Sequence, residues 1–475
     1  MVVRVRFAPS PTGPVHVGNI RVAIYNWLFA RSQGGKFFVR LEDTDVDRSS
    51  YQWSDKIVDA LHWLGLDYCA DEFALSPIPG DWASEPPPYP GILCQSNEGH
   101  RSVYSAVLDE LLDNGTAYKG SGDKEGCILF RIEGKEMAFD DIIYGHLTKP
   151  IDKNYDFVIR KSNGDYTFHF ANVVDDIYMR ITHVIRGNDH IENTFRHVKL
   201  FEAINATWPY VDDMGEFGTT SGPLVGIPKF AHLPMITNVK GKPFSKRDGD
   251  AFVGDFRNKG YLPEALFNYL ALLGWSPGDG QELLSAQEMA ACFDLTRVQR
   301  SAGIWDGDKL RWMNGQYLRD MSRKDFGLYV NQFSSQFPWY HPFPERLVDC
   351  LQVRTKSAED LVELSRPFVE YDLSHYDVAA VEKRMLPDTS KHLQDFLAII
   401  AAVEPLTAET AETALRKVAK TFDVKAGTII HPLRLATTGM SHGIGVFDIV
   451  EIMGREKTVR RIEDFLRAFG GNSGN

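Results

Sequence analysis

The chain of 475 residues is 43% hydrophobic and 24% charged, with a formal net charge of −12. This length predicts roughly three domains at about 150 residues each, and the balanced composition excludes a disordered or fibrous protein. The negative net charge argues against a protein that binds nucleic acid without specificity along its whole surface. A local basic face is still compatible with that net charge. No stretch reaches the about 18 apolar residues of a membrane-spanning helix, and no signal peptide is evident, so we expect a cytoplasmic protein.

Strands and helices are predicted to alternate in the first part of the chain. The valine-rich run "VVRVRFA" predicts a strand that ends at prolines, and "NIRVAIYNWLFARSQGG" predicts a helix closed by two glycines. "KFFVRLEDTD" then predicts a second strand, and "YQWSDKIVDALHWLGL" a second helix. This order predicts parallel strands in a doubly wound α/β sheet. Since ligands bind at the carboxyl ends of such strands, we expect a site at the proline-rich turn after the first strand.

The pattern changes twice further along the chain. Short β-rich runs between Tyr118 and Asp165, such as "CILFRIEG", predict a domain inserted between two halves of the sheet. Strand and helix alternate again from "THVIRG" to about Asp250, and beyond "YLPEALFNYLALLGW" nearly everything predicts a separate helical domain. Residues 411–475 contain ten Lys or Arg and seven Asp or Glu, so the charge balance reverses there. Residues 77–91 and 208–227 are predicted long loops.

The turn "RFAPSPTGPVHVGNIR" holds one histidine, His16, directly before the predicted first helix. The free N–H groups and the positive dipole end at a helix start form an anion site that suits nucleotide phosphates. A glycine at Gly18 would also let a flat base approach the backbone. The competing interpretation is a histidine that only caps the helix, and an isolated H-x-G does not decide between the two.

A second candidate stretch, "NVKGKPFSKRDGD", places Lys242, Lys246 and Arg247 in a glycine-containing loop. A cationic loop of this kind can close over a polyphosphate and stabilise the charge that develops during transfer at phosphorus. A solvated basic turn is the simpler interpretation of the same charges. The H-x-G turn and the later "FSKR" together resemble the two signatures of class I aminoacyl-tRNA synthetases.

The flanking segments narrow this resemblance to one family. The segments "RFAPSPTGPVHVGNIR", "RLEDTD", "FANVVDD", "THVIRGNDH", "FSKRDGD" and "GYLPEALFNYLALLGW", in this order, resemble glutamyl-tRNA synthetase of the bacterial type. The resemblance covers residues 4 to about 320, and "HPLRLATTGMSHGIGVFDIVEIMGRE" is similar to that family's helical anticodon-binding region. It implies a class I Rossmann-like α/β catalytic domain with an inserted acceptor-binding domain, followed by an all-α anticodon-binding domain.

The implied domains have the following boundaries. They are the first half of the catalytic domain (1–117), the inserted connective domain for the tRNA acceptor end (118–167), the second catalytic half with its mobile lysine loop (168–255), a helical stem-contact domain (256–320) and the helical anticodon-binding domain (321–475).

The resemblance also implies roles for individual residues. The glutamate pocket would consist of Arg6, Ala8, Ser10, Glu42, Asn172 and Arg186. ATP would contact His16, Gly18, Asn19, Ser245, Lys246 and Arg247, and the catalytic set would be His16, Gly18 and Lys246. These roles make chemical sense, because arginines grip carboxylates through two N–H groups and an acid can hold an ammonium. Mg²⁺ would be held chiefly by the phosphates of ATP, with no metal ligated by the protein.

The sequence departs from the family pattern at three places. Pro243 stands where the lysine loop of the family begins with lysine, so only Lys246 is a secure phosphate ligand. Asn19 ends the H-x-G-x signature, at a position that varies among glutamate enzymes. Cys127 stands alone in "AYKGSGDKEGC", where many relatives carry C-x-C, so we expect no structural zinc. The five cysteines contain no C-x-x-C pair and support no disulfide framework; they are Cys69, Cys94, Cys127, Cys292 and Cys350.

The implied activity is an ATP-dependent ligase, active as a monomer, that joins L-glutamate to tRNA(Glu), with tRNA(Gln) open as a second acceptor. Glutaminyl-tRNA synthetase is a relative in the same class, but it would favour an "HIGH" tetrad and a β-barrel C-terminal domain. A non-catalytic tRNA-binding paralogue of the same fold is the alternative from another class. Pro243 favours it, and the intact His16 and Lys246 oppose it.

Overall fold

The computed structural model describes residues 2–43, 50–70, 92–96, 98–151, 154–207, 226–334 and 343–470. The predicted loop at 77–91 and residues 208–225 of the second predicted loop lie outside this set. The chain forms two compact units, the first made of residues 1–258 and 263–307, the second of residues 259–262 and 308–475. No helix in the described segments is both long enough and apolar enough to cross a membrane.

The first unit mixes strands and helices. In chain order these are β1 (Arg4–Phe7), α1 (Val17–Ser32), β2 (Lys36–Leu41), α2 (Tyr51–Trp63), β3 (Leu93–Cys94), α3 (Glu98–Asp113), β4 (Ala117–Lys119), β5 (Ile128–Phe130), β6 (Glu136–Asp141), β7 (Gly145–Pro150), β8 (Phe157–Arg160), α4 (Phe168–Tyr178), β9 (His183–Gly187), α5 (Ile191–Thr207), β10 (Lys229–Leu233), β11 (Ile236–Thr237), α6 (Val253–Asn258), α7 (Pro263–Leu272), α8 (Ala286–Cys292) and β12 (Gly303–Ile304).

The predicted opening β1–α1–β2–α2 is confirmed, and β1 pairs with β2 in parallel. Strand β3 continues this sheet beyond β2, again in parallel. A second sheet has the order β7–β6–β10–β9, with β9 parallel to β10. Thr182, just before β9, donates its backbone N–H to the carbonyl of Arg4 at 2.9 Å. The carboxyl ends of β1 and β9 therefore open toward the same side of the first unit.

The β-rich stretch after Tyr118 contributes to two sheets. Strands β4, β5 and β8 form their own antiparallel sheet. The hairpin of β6 and β7 instead joins the second sheet, where Phe230 of β10 stands opposite Asp141 of β6. The inserted segment thus shares a sheet with the chain that follows it, and the boundaries 118–167 stay a prediction.

Helix α1 is the central helix of the first unit. Eleven of its 16 residues are buried, so it has no broad solvent-facing side, as expected for a helix in the interior. It lies against β1, β2 and β9 and is covered by α7 and α8. The helix ends before Gly34, whose φ of +58° is the left-handed conformation that glycine adopts at helix ends.

The second unit is helical throughout its described residues, as the sequence predicted. Its helices are α9 (Gly307–Asp320), α10 (Arg323–Ser334), α11 (Glu345–Gln352), α12 (Ala358–Val369), α13 (Val378–Arg384), α14 (Thr389–Ile400), α15 (Ala408–Thr421), α16 (Gly427–Thr438) and α17 (Val446–Phe469). Helix α17 bends at Gly454, where φ is +72°. One buried cluster includes Phe326 and Leu347, and another includes Phe396 and Phe465.

Candidate active site

His16 caps the first helix. Its Nδ1 accepts a hydrogen bond from the backbone N–H of Gly18 at 3.0 Å. His16 therefore caps the helix, and its role toward ATP stays a prediction. Because Nδ1 is the acceptor, the proton of the neutral ring is on Nε2. Burial lowers the pKa of His16, so the ring is neutral at pH 7. A Cβ on residue 18 would lie 3.2 Å from Nδ1, so Gly18 permits the close turn. The ring also hydrogen-bonds to the backbone of Phe244, which opposes part of the lowering of its pKa, so both ring nitrogens already have partners within the protein.

A buried network of charges lies at the ends of β1 and β2. Arg6 of β1 grips Asp176 of α4 with two hydrogen bonds, Nε to Oδ1 at 2.9 Å and Nη2 to Oδ2 at 3.1 Å. Arg40 of β2 bonds the same carboxylate through Nη1 at 2.7 Å and Glu42 through Nη2 at 3.0 Å. Asn172 donates to Glu42 Oε1 at 2.5 Å. The edge of Arg6 that holds Asp176 is therefore engaged by the protein and is not free to grip a substrate.

The negative charge of Glu42 is not fully stabilised by the residues around it. Burial raises the pKa of Glu42, although Arg40 and Arg6 act in the opposite direction. The ionised carboxylate is thus only partly compensated by its protein neighbours. An ammonium group in the adjoining cavity would supply the missing charge, because a buried carboxylate is stabilised by an opposite charge at short distance.

Arg186 at the end of β9 is a buried cation held by neutral groups. Its Nη2 donates to Thr194 Oγ1 at 2.6 Å, and its Nε lies 3.4 Å from His232 Nε2. Nη1 and Nη2 lie 3.4 Å from His197 Nδ1. Burial, together with repulsion from Arg6, lowers the pKa of Arg186 to about 9. In the described part of the chain no carboxylate ion-pairs with Arg186, and the charges of Asp176, Glu42 and Asp189 offset the effect of burial only in part.

The candidate lysine loop folds back onto the turn that holds His16. Residues 236–244 form a hairpin in which Phe244 N–H donates to the carbonyl of Ile236 at 2.9 Å. His16 pairs with Phe252 in an isolated antiparallel bridge, and their ring centroids are 6.0 Å apart. The exposed Lys246 places its Nζ 5.9 Å from the centre of the same Phe252 ring. The lysine loop and the histidine turn are therefore neighbours, as their pairing in the sequence implied.

A cavity of about 840 Å³ joins these parts, which is within the range of pockets that enclose a small ligand. It brings together nine of the predicted residues: Arg6, Ala8, Ser10, His16, Gly18, Asn19, Glu42, Asn172 and Arg186. It does not include Ser245, Lys246 or Arg247, although the preceding Pro243 and Phe244 line it. The hydroxyl of Ser245 donates to Asp248 Oδ2 at 3.0 Å, so this hydroxyl is already hydrogen-bonded within the loop.

Residues that hold the predicted side chains in place were missed at the sequence level. These are Arg40, Asp141, Asp176, Thr194, His197 and His232. The sequence did point to a partner for Asp176. Two acids follow the apolar run "FANVV", and a buried acid without a positive partner would be costly. The signal for the two histidines was weak, since a lone histidine in an apolar segment carries little information.

The described residues contain no group of three or more His, Cys, Asp or Glu side chains placed to hold a metal ion. Cys127 is half-buried with a free thiol.

The cavity at the carboxyl ends of parallel strands, with a capped histidine turn and a lysine loop beside it, has the organisation of a class I synthetase. The chain matches the family described as tRNA synthetases class I (E and Q), catalytic domain, over residues 2–127, 119–217 and 224–312. It also matches the anticodon binding domain family over residues 316–466. The chain therefore belongs to the class I tRNA synthetases of the E and Q family, and the resemblance seen in the sequence is confirmed.

Individual relatives agree over the full length. The chain is 37% identical to the glutamate–tRNA ligase of Akkermansia muciniphila, covering 98% of this chain and 99% of that protein. It is 34% identical to the glutamate–tRNA ligase of Methylacidiphilum infernorum, covering 97% and 98%. A solved glutamate–tRNA ligase from Elizabethkingia meningosepticum, in complex with its amino acid, superposes with a TM-score of 0.80 at 29% identity, covering 99% of this chain and 100% of that one.

Proposed function

We propose that this chain is a glutamate–tRNA ligase. A carboxylate oxygen of glutamate attacks the α-phosphorus of ATP, the bond to the β-phosphate breaks, and glutamyl-adenylate and pyrophosphate form. The terminal ribose hydroxyl of tRNA(Glu) then takes the acyl group, and AMP leaves. Full-length similarity to two ligases of this name supports the reaction. The protein contributes positioning and charge stabilisation, so no side chain has to act as a covalent nucleophile.

The observation that carries this proposal is that a buried arginine and a buried carboxylate line the same cavity. Arg186 lacks an acidic partner among the described residues, and Glu42 lacks full compensation. Both line the cavity together with Arg6. Glutamate carries two carboxylates and one ammonium, so it can satisfy Arg186 with one end and Glu42 with the other. A neutral side chain in its place would leave the buried guanidinium unpaired.

The histidine turn and the lysine loop are the proposed ATP site. The N-terminus of α1 at His16 and Gly18 presents the positive end of the helix dipole to the cavity, and Asn19 lies beside them. Lys246 is exposed next to this turn and is the proposed phosphate ligand, with Ser245 and Arg247 as neighbours. Mg²⁺ arrives with ATP as part of that substrate, bound by phosphate oxygens, and neutralises charge on the leaving pyrophosphate.

The helical second unit is the proposed partner of the tRNA anticodon arm, in line with its family match. We infer tRNA(Glu) as the acceptor, a monomer as the active form and the cytoplasm as its location. Charging of purified tRNA(Glu) and tRNA(Gln) side by side decides whether the second is also a substrate.

Pro243, the feature that favours the non-catalytic alternative, is accommodated in the hairpin of the lysine loop. Pro243 stands opposite Thr237, between the hydrogen bonds Asn238 to Lys242 and Phe244 to Ile236. The hairpin closes through those neighbours, so the missing N–H of proline costs it no hydrogen bond.

ATP–pyrophosphate exchange with glutamate, in the presence of tRNA(Glu), tests the proposal. The wild-type chain should exchange, and Arg186→Ala should raise the KM for glutamate by roughly 30- to 150-fold, equivalent to about 2–3 kcal/mol. Arg257→Ala removes an exposed arginine that pairs with Asp59 and should leave the KM unchanged. Absence of exchange by the wild-type chain would refute the proposal, and an unaltered KM in Arg186→Ala would refute the assigned pocket.

A further inference from the structure

We infer that Thr194, His232 and His197 are positioning residues that hold Arg186 through neutral acceptors and so keep its charge available for the substrate carboxylate. This inference rests on the proposed function. The three side chains are fully buried or nearly so, with exposed fractions of 0%, 0% and 1%. They contact Arg186 from α5 and β10, the elements that pack beside the end of β9.

The protonation of His232 is fixed by Asp141. The Oδ2 atom of Asp141 accepts from His232 Nδ1 at 2.7 Å and from its backbone N–H at 3.0 Å. Its Oδ1 accepts from the backbone N–H groups of Ile143 and Tyr144 at 2.9 and 2.8 Å. With four donors on two oxygens, Asp141 is a carboxylate whose hydrogen bonds are complete. The ring of His232 therefore carries its proton on Nδ1, and Nε2 is an acceptor.

In this tautomer the ring of His232 can accept from Thr194. Thr194 Oγ1 lies 2.8 Å from His232 Nε2 and 3.0 Å from the carbonyl oxygen of His190. These two acceptors compete for its one proton, and in either case its lone pairs accept from Arg186 Nη2. His197 Nδ1 can accept from Arg186 in the tautomer whose Nε2–H donates to His169 Nδ1, 3.1 Å away. Arg186 thus lies among Thr194 and two histidines, all without negative charge.

Neutral acceptors fix a guanidinium without neutralising it. A carboxylate in their place would compensate Arg186 within the protein and remove the advantage of an anionic substrate over an amide. The three residues therefore contribute to the preference for glutamate over glutamine, although none of them lines the cavity.

Thr194→Val tests this assignment with little change of shape, because it replaces the hydroxyl by a methyl group. We expect the KM for glutamate to rise about tenfold, as for the loss of one hydrogen bond to a charged group. The KM for ATP and the maximal exchange rate should stay within about twofold, because the ATP site is untouched. The ratio of kcat/KM for glutamate to that for glutamine should fall by a similar factor. Thr194→Ser, which keeps the hydroxyl, should restore wild-type values.

His197 gives a second, independent pair of variants. His197→Leu removes the acceptor and should also raise the KM for glutamate, whereas His197→Asn places an amide oxygen near the position of Nδ1 and should rescue it. His183→Gln is the matched control, since His183 lies on β9 three residues before Arg186 and bonds Thr182 instead.

The outcomes separate this inference from the proposed function. If Thr194→Val and His197→Leu keep the wild-type KM for glutamate while the wild-type chain exchanges, the positioning role is refuted and the proposed function stands. Equal losses for ATP and glutamate would indicate a general structural effect and would also refute the role. If the wild-type chain does not exchange with glutamate, the proposed function itself fails.

Discussion

Arg6 and Asp176 form a buried, two-pronged ion pair that links β1 to α4, with side chains exposed by only 3% and 1%. The same carboxylate also holds Arg40. Burial alone would raise the pKa of Asp176, but the charges of Arg6 and Arg40 outweigh it and keep that pKa below its usual value. Asp176 is therefore the anion around which two arginines of the site are arranged.

Asp176→Asn should destabilise the first unit by about 3–5 kcal/mol, because it leaves two buried guanidinium groups without their common counter-charge. Urea denaturation followed by a probe in the first unit measures the loss. Asp67→Asn is the control, because Asp67 pairs with Arg31 at the surface and is 70% exposed; it should cost at most about 1 kcal/mol. Equal effects of the two substitutions would contradict the role given to Asp176.

Lys246→Ala should slow adenylate formation about 100-fold, because the charge of the lysine is needed most while phosphorus is being transferred. The KM for glutamate should change little. Single-turnover formation of glutamyl-adenylate measures the rate, and Lys242→Ala in the same exposed loop serves as the control. A full rate in Lys246→Ala would remove this residue from the ATP site.

His183 should make the stability of the first unit depend on pH. Burial, with a smaller contribution from Lys229, lowers the pKa of His183 to about 4, against about 6.5 in an unfolded chain. Between these values the unfolded chain binds more protons, so stability should fall as pH drops from 6.5 toward 4. His183→Gln should reduce the difference between thermal midpoints at pH 7 and pH 5. An undiminished difference would show that this histidine is not the cause.

Three arginines of the second unit form a basic cluster, defined by Arg354, Arg384 and Arg434. Burial and the neighbouring charge of Arg354 lower the pKa of Arg434, and Arg384 and Arg434 both act on His431, whose pKa is lowered chiefly by burial. In the described segments none of the three arginines forms an ion pair with a carboxylate. Arg354 and Arg384 are exposed and can therefore meet phosphates, whereas Arg434 is half-buried and donates to the carbonyl of Ile444.

Arg354→Gln should weaken tRNA binding and reduce the slope of log affinity against log salt concentration by about 1, because one counterion fewer is released. Filter binding or fluorescence titration at several salt concentrations measures the slope. Arg416→Gln, which removes an exposed arginine paired with Glu412, should change it much less. A slope that is identical in wild type and Arg354→Gln would place the tRNA elsewhere.

Local sequence patterns sufficed for much of the fold. The alternation in "VVRVRFA" and the helical spacing after Asn19 predicted β1 and α1 correctly, because both depend on neighbours along the chain. The pairing of β6 with β10 could not be foreseen, since it joins Asp141 to Phe230 across a long separation with no local signal. Patterns within one element do not specify which distant strand lies alongside.

The same limit applies to the site. The family motifs predicted that Glu42, Asn172 and Arg186 belong to one pocket, and in the structure all three line the same cavity. The motifs did not show that Arg6 holds Asp176, or that Arg186 lies on Thr194 and two histidines. Such partners depend on side-chain geometry between elements, which only the folded chain reveals.

Aminoacylation of purified tRNA(Glu) tests most directly whether the buried Arg186, which forms no ion pair in the described residues, selects glutamate for attachment to tRNA. Wild-type chain, ATP, Mg²⁺ and labelled amino acid are incubated with the tRNA, and acid-precipitable label is counted for glutamate and for glutamine in parallel. We predict rapid charging with glutamate, little with glutamine, and loss of glutamate charging at low substrate concentration in Arg186→Ala. Charging with glutamine in preference to glutamate, or no charging with either, would contradict the account.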